Sequence, residues 1–170
     1  MQPYKIYNLM LSRVFPATHS RAGESTEFAI KMLNASFHTS NVLTKLHTIR
    51  GNYDLWAKRM DEIQQGNALL RVRMWEGLPY RSKTKVIKQL SWEDGVGLQK
   101  LELHDIEHSF EQPIIDGVKC TRVELYRIAM NDGLTFSDWR EWMSMYDISQ
   151  PLAIIHFTPF RYVPIVVNNR

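Results

Sequence analysis

Hydrophobic and polar residues alternate over several short stretches of this chain, and that period of two is typical of β-strands. Pro16 ends the first stretch because proline has no backbone N–H to donate to a neighbouring strand. Residues 76–79 have the length of a hairpin loop between two of the stretches. The pattern predicts strands over residues 9–15, 45–50, 68–75, 80–90, 96–103 and 151–160.

Other stretches repeat their apolar residues every three or four positions, which predicts helices. The first helix follows a cap at Ser25 or Thr26 and covers residues 26–37, and the second begins after Asn52 and ends at Gly66. A capping box of Thr121 and Glu124 predicts a third helix, ended by Gly133. A fourth opens at Thr135 or Ser137 and buries an apolar face made of Trp139, Trp142, Met143 and Tyr146.

This order of elements predicts an α+β fold, because helices interrupt short strands that we expect to pair antiparallel. We expect a small, partly open mixed β-barrel flanked by short helices. No repeat or linker divides the 170 residues, so the pattern predicts a single domain over residues 1–170.

Composition narrows the function classes. The chain is 44% hydrophobic and 23% charged, which excludes wholesale disorder. Its longest apolar runs, residues 151–155 and 162–167, fall well short of the roughly 20 residues that cross a bilayer. The first fifteen residues lack the uninterrupted apolar core of a signal peptide, and Cys120 is the single cysteine, so no intramolecular disulfide can form. We therefore expect a cytoplasmic protein without membrane contact.

Charge is distributed unevenly along the chain, although the total is only +3. Residues 1–44 carry a net charge of +2, residues 45–100 carry +5 and residues 101–170 carry −4. A basic middle part favours a polyanionic partner. Ordinary surface asymmetry in a protein that binds nothing charged explains the same pattern equally well.

The most concentrated functional groups lie in residues 45–50, Lys-Leu-His-Thr-Ile-Arg. In an extended segment Lys45 and His47 share one face, whereas Thr48 and Arg50 share the other. The second helix begins just afterwards, so its free N–H groups lie beside Arg50 and favour an anion. The alternative is an edge strand with solvated charges.

Residues 45–50 resemble the K-x-x-T-x-R signature of ASCH domains, a branch of the PUA-like superfamily. The resemblance extends over about residues 9–160, through Gly66-Asn67 ahead of the strand at 69–72, the segment 131–139 and the final strand at 153–157. It implies a small β-barrel flanked by helices, with a cleft beside the barrel that handles RNA or nucleosides.

Some bacterial proteins of this kind are amidohydrolases that remove the acetyl group of acetylcytidine. The resemblance implies that the signature lysine and threonine, here Lys45 and Thr48, are catalytic together with a glutamate from a later strand. Residues 81–87, where that strand is expected, contain no acid. Glu76 and Glu93 are the nearest substitutes in the sequence.

A basic stripe is predicted on the hairpin of residues 68–90. Alternation places its five cations on one face, where they would track phosphates beside Arg50, and Trp75 and Tyr80 would offer stacking surfaces for bases. The alternative is a solvated face whose charges prevent edge pairing. The five residues of the basic stripe are Arg71, Arg73, Arg81, Lys83 and Lys85.

The loop of residues 15–24 is a second candidate part of the cleft. His19 could exchange protons, Arg21 could hold an anion, and Glu24 could orient either one. The alternative is a loop stabilised internally by an Arg–Glu pair. Residues 104–108 have the form H-x-x-E-H, but no third ligand is evident, and Cys120 is expected to be packed, so we predict neither a metal site nor a cofactor.

The leading hypothesis is a domain that binds RNA or a nucleotide through Lys45, Thr48, Arg50 and the basic stripe. An amidohydrolase acting on acetylcytidine or a related modified nucleoside is the first alternative. A structural protein whose basic hairpin docks an acidic partner is the second. The sequence leaves open whether the protein is an enzyme and what its oligomeric state is.

Overall fold

The computed structural model describes residues 4–36, 43–104 and 112–163. These residues form two β-sheets and four α-helices, so the predicted α+β class is confirmed. The strands are β1 Lys5–Leu11, β2 His47–Arg50, β3 Ala68–Trp75, β4 Thr84–Leu90, β5 Gly97–Glu102, β6 Ile114–Ile115, β7 Val118–Lys119 and β8 Leu152–His156. The helices are α1 Phe28–Leu33, α2 Tyr53–Gln64, α3 Val123–Asn131 and α4 Phe136–Met143.

The two sheets are separate ladders. The smaller has the order β1-β3-β4 and the larger the order β2-β8-β5-β6-β7. No ladder closes them into one barrel among the residues that the structure describes. The strands β1 and β2 lie at the edges of their sheets, which leaves their outer hydrogen-bonding groups open to other partners.

The expected antiparallel pairing does not extend to β1, which runs parallel to β3 from Lys5 beside Ala68 to Leu11 beside Met74. The chain between these strands contains α1, β2 and α2. A connection of that length can carry the chain back to the start of the sheet, as parallel pairing requires. All the other ladders are antiparallel.

Several strand boundaries differ from the prediction, and turns explain two of these differences. The strand β1 ends at Leu11, and Phe15 belongs instead to a turn in which its N–H donates to the carbonyl of Glu24 at 2.9 Å. The hairpin strand begins at Thr84, because Tyr80 has φ 61° and no extended strand accommodates that angle.

The predicted helix starts were confirmed in two cases. Asn52 accepts a hydrogen bond from the N–H of Leu55, and the Thr135 hydroxyl accepts one from the N–H of Asp138. The capping box of the third helix is absent, since the carboxylate of Glu124 binds Arg127 at 2.7 Å instead.

The core fills the space between the sheets and helices. All five residues of β8 are buried, and α4 buries Trp139 and Met143 as its periodicity predicted. Cys120 is buried, as expected for a packing residue. In the described part of the chain, none of the helices has the length and hydropathy needed to span a membrane.

Candidate functional site

A cavity of about 250 Å³ opens between the edge of β1, the end of β2 and α4. Its polar wall contains Lys45, Thr48 and Arg50, the three residues singled out by the sequence signature, together with Asp132. Apart from Ser12, the rest of the lining is apolar or aromatic and includes Phe28, Trp142 and Tyr146. We call this space the Lys45 cavity.

Lys45 and Thr48 both line the cavity although strict alternation assigned them to opposite faces of one strand. The strand β2 begins only at His47, and Lys45 forms a separate antiparallel bridge with Asp132. The break in the ladder between these two positions lets both side chains reach the same space. Both are almost fully buried, with exposed fractions of 1% and 2%.

Lys45 is held by a buried carboxylate. Its Nζ donates to Oδ1 of Asp132 at 2.5 Å and to the backbone carbonyl of Asp132 at 2.7 Å, and it lies 3.9 Å from the centre of the Phe28 ring. Burial lowers the pKa of Lys45 to about 8, although the charge of Asp132 opposes that shift. Burial also raises the pKa of Asp132, against the effect of Lys45.

Arg50 connects the two sheets and orients Thr48. Its Nη1 donates to the hydroxyl of Thr48 at 2.8 Å and to the carbonyl of Ile49 at 2.7 Å, and its Nη2 donates to the carbonyl of Met10 in β1. The Thr48 oxygen therefore acts as an acceptor toward Arg50, which leaves the hydroxyl proton to point toward a ligand.

Sequence reasoning missed Asp132, which is 87 residues from Lys45 along the chain. It lies at the end of α3, where Gly133 has φ 81° and turns the chain toward α4. The sequence marked it only as part of the segment 131–139 and as an Asp-Gly pair between two predicted helices, and such a pair usually marks a turn. Glu76 and Glu93, the acids considered instead, are exposed and do not line the cavity.

The basic stripe is not formed as one face. A register shift between Val72 and Arg73 pairs Lys85 with Met74, which places Lys85 on the opposite face from Arg73. Arg81 and Lys83 lie in the turn ahead of β4 rather than on the strand. The prediction that all five cations share one face was therefore wrong.

Arg71 and Arg73 do share the outer face of β3, but each is bound by the neighbouring strand. The guanidinium of Arg71 donates to the Gln89 side chain at 2.7 Å, and that of Arg73 donates to the Thr84 hydroxyl at 2.9 Å. Arg71 and Arg73 therefore stabilise the hairpin.

The loop of residues 15–24 is held by its own contacts and does not line the Lys45 cavity. His19 is buried, its Nδ1 accepts from the N–H of Arg21 at 3.0 Å, and its Nε2 lies 3.1 Å from the carbonyl of Asp138. Arg21 binds Glu24 and Asp138, each at 2.7 Å. His19 and Arg21 thus anchor the loop on α4, and the Arg21–Glu24 pair that the sequence suggested as the alternative is present.

A second buried polar cluster was not predicted. His47 and His156 face each other across β2 and β8, with ring centres 5.5 Å apart. His47 Nε2 lies 2.7 Å from the Tyr162 hydroxyl, and His156 Nε2 lies 3.0 Å from Oε1 of Gln99. Burial lowers the pKa of His47 well below its usual value and that of His156 to about 3. Both rings are therefore neutral near pH 7.

The H-x-x-E-H motif falls outside the described residues except for His104. The described ranges contain no group of three side chains that could hold a metal ion. Comparisons with protein-family models, with curated proteins and with solved structures gave no significant match. The function is therefore argued from the Lys45 cavity itself.

Proposed function

We propose that this protein binds RNA or a nucleotide, with one nucleotide occupying the Lys45 cavity. The observation that carries the proposal is the meeting of Lys45, Thr48 and Arg50 with aromatic side chains in one enclosed space. A nucleotide combines an anionic phosphate, hydroxyl groups and a flat base, and this lining offers a partner for each part.

Donors and aromatic faces lie on different walls of the cavity. Arg50 uses three of its five N–H groups on protein acceptors, so two remain for a ligand. The rings of Trp142 and Tyr146 line the same space and suit a planar base. A cavity of roughly 150 Å³ is enough to bind benzene. The volume of about 250 Å³ exceeds this, as a nucleotide requires.

We propose further that the two sheets are the halves of a partly open, PUA-like barrel in a single ASCH-like domain of the cytoplasm. We call the place where the edge strands β1 and β2 approach each other the seam, and the support for this proposal is a contact there. The two strands form no ladder with each other. The Arg50 guanidinium instead donates to the carbonyl of Met10 in β1. The nucleotide would occupy the opening beside this seam.

Asp132 favours a second candidate, hydrolysis of an N-acylated cytidine or a related amide. The sequence offered no carboxylate near Lys45, and the structure places one at 2.5 Å. With a pKa of about 8, roughly a tenth of Lys45 is neutral at pH 7 and able to accept a proton. Lys45 would take a proton from water as the oxygen adds to the acyl carbon. The C–N bond then breaks, and the proton passes to the leaving amine.

Isothermal titration calorimetry with cytidine 5′-monophosphate and short single-stranded RNA tests the binding proposal. Lys45→Met is expected to weaken binding about tenfold or more, because it removes a charge-assisted contact. Lys58→Met is the matched control, since Lys58 is exposed on α2 and lines none of the cavities described. Absence of binding by every probe to the folded wild-type protein would exclude the proposal. Chromatography of acetylcytidine incubated with the protein tests the hydrolase alternative.

A further inference from the structure

A second cavity, of about 470 Å³, adjoins the Lys45 cavity. Residues 10–17 form one wall and residues 75–80 the other, and its lining is mostly apolar. Met10 and Ser12 line both cavities, so the two spaces lie next to each other. We call this second space the aromatic groove.

Two aromatic rings stand at its open side. The ring centres of Trp75 and Tyr80 are 5.3 Å apart, and 91% of Tyr80 is exposed. Tyr80 also has φ 61°, an unfavourable angle for a bulky side chain. An exposed tyrosine on strained backbone contributes nothing to the core, and such strain is commonly retained at binding sites.

The turn that carries Tyr80 is held by hydrogen bonds. The N–H of Glu76 donates to the carbonyl of Lys83 at 2.9 Å. The hydroxyl of Ser82 accepts from the N–H of Gly77 at 3.0 Å and donates to the carbonyl of Leu78 at 2.8 Å. The tyrosine is therefore presented in a defined position, which lowers the entropic cost of binding to it.

Charge favours a polyanion on this side of the Lys45 cavity. Arg13 lines one wall of the groove, and Arg81 and Lys83 follow Tyr80 in the turn that carries the other wall, which also contains the acid Glu76. The cavity on the opposite side, beyond Tyr146, is lined by Asp54 and Asp147 as well as by Lys100. A chain of phosphates that leaves the Lys45 cavity is attracted toward the aromatic groove and repelled from that acidic side.

We propose that the aromatic groove binds the base next to the nucleotide in the Lys45 cavity, so that the ligand is a single-stranded oligonucleotide rather than a free nucleoside. This inference rests on the proposed function. Tyr80 and Trp75 stack on the second base, and Arg13, Arg81 and Lys83 neutralise the phosphates that flank it. A duplex is excluded, because its bases are already stacked and paired.

Calorimetry with the whole protein measures the affinity for three ligands. They are cytidine 5′-monophosphate, the single-stranded trinucleotide CCC, and a longer, stable duplex that contains the sequence CCC in one strand. Base stacking on aromatic side chains predicts that the single-stranded trinucleotide binds about fivefold to a hundredfold more tightly than the monophosphate. Tyr80→Ala is expected to remove most of this gain and to leave the affinity for the monophosphate unchanged. Tyr4→Ala is the control, since Tyr4 is also exposed but precedes the far end of β1.

The outcomes separate the two proposals. Equal affinity for the monophosphate and the trinucleotide, or a gain that survives Tyr80→Ala, would overturn the role of the groove and leave the proposed function standing. Duplex binding as tight as single-strand binding would do the same. If the folded wild-type protein binds neither the monophosphate nor the trinucleotide, the proposed function fails and the groove proposal fails with it.

Discussion

The pKa of Lys45 predicts how nucleotide binding depends on pH. Burial lowers that pKa to about 8, so Lys45 changes charge in a range where exposed lysines remain protonated. At pH 7 about nine tenths of Lys45 is charged, and at pH 9 about one tenth is. If the protonated amine contacts the phosphate, only this fraction of the protein binds.

The expected loss of affinity follows from these fractions. Between pH 7 and pH 9 the dissociation constant is expected to rise about tenfold. The sign is set by the direction of the shift, because a lowered lysine pKa means that the charge is lost as the pH rises through 8. A phosphodiester probe with cytidine bases is suitable, since neither its phosphates nor its bases titrate in this range.

Calorimetry at pH 7, 8 and 9, at one ionic strength, measures the effect. Lys45→Met should flatten the profile, whereas Lys58→Met, which changes an exposed lysine on α2, should keep it. A wild-type affinity that stays constant from pH 7 to pH 9 would refute the assignment of Lys45 as the phosphate contact. A hydrolase would behave in the opposite way, with turnover of acetylcytidine rising as Lys45 becomes a free base and levelling above pH 8.

Three further predictions concern stability. Lys45→Met and Asp132→Asn should each lower the free energy of unfolding in urea by about 3–5 kcal/mol, because each leaves a buried polar partner unmatched. The double variant should lose much less than the sum of the two, and additive losses would contradict this. The pKa values of His47 and His156 are lowered in the fold, so the unfolded chain binds protons first as the pH falls below about 6.5. The free energy of unfolding should therefore fall by about 2 kcal/mol per histidine between pH 7 and pH 5. His156→Gln should remove about half of that loss, and an unchanged loss would exclude the histidine as its source. Arg50→Lys should cost about 1–3 kcal/mol in thermal unfolding, because a lysine cannot replace the planar fork that binds Thr48 and Met10 together; a wild-type melting temperature would contradict this.

Local patterns were enough to predict the elements whose stability is local. The helix α2 follows its cap at Asn52 and ends ahead of Gly66, and β3 covers the alternating residues 68–75. The parallel pairing of β1 depends instead on where the intervening α1, β2 and α2 pack. The register shift at Val72 depends on fitting two strands together, and neither leaves a trace in alternation alone.

The candidate site likewise has a part that local sequence predicts and a part that depends on long-range packing. Lys45, Thr48 and Arg50 lie within six residues of one another, so a short signature could bring them to notice together. Asp132 comes from a distant helix end, and its role depends on burial beside Lys45, which no spacing rule encodes. The prediction of the basic stripe was wrong in part because a local pattern was carried too far. Its alternation was extended from the strand through a turn in which Tyr80 has a left-handed backbone.

The buried pair of Lys45 and Asp132 is itself an argument for function at the cavity. Well-packed apolar side chains of the same volume are commonly as stabilising as a buried ion pair, so stability alone does not require these charges. The buried histidines differ, because His47 and His156 sit inside the larger sheet and line none of the three cavities. The Lys45 side chain instead forms part of a cavity wall beside the Thr48 hydroxyl. The double variant Lys45→Met with Asp132→Asn therefore separates a role in stability from a role in binding, since it keeps the packing and removes only the charges that face the ligand. We expect it to fold normally and to lose nucleotide binding.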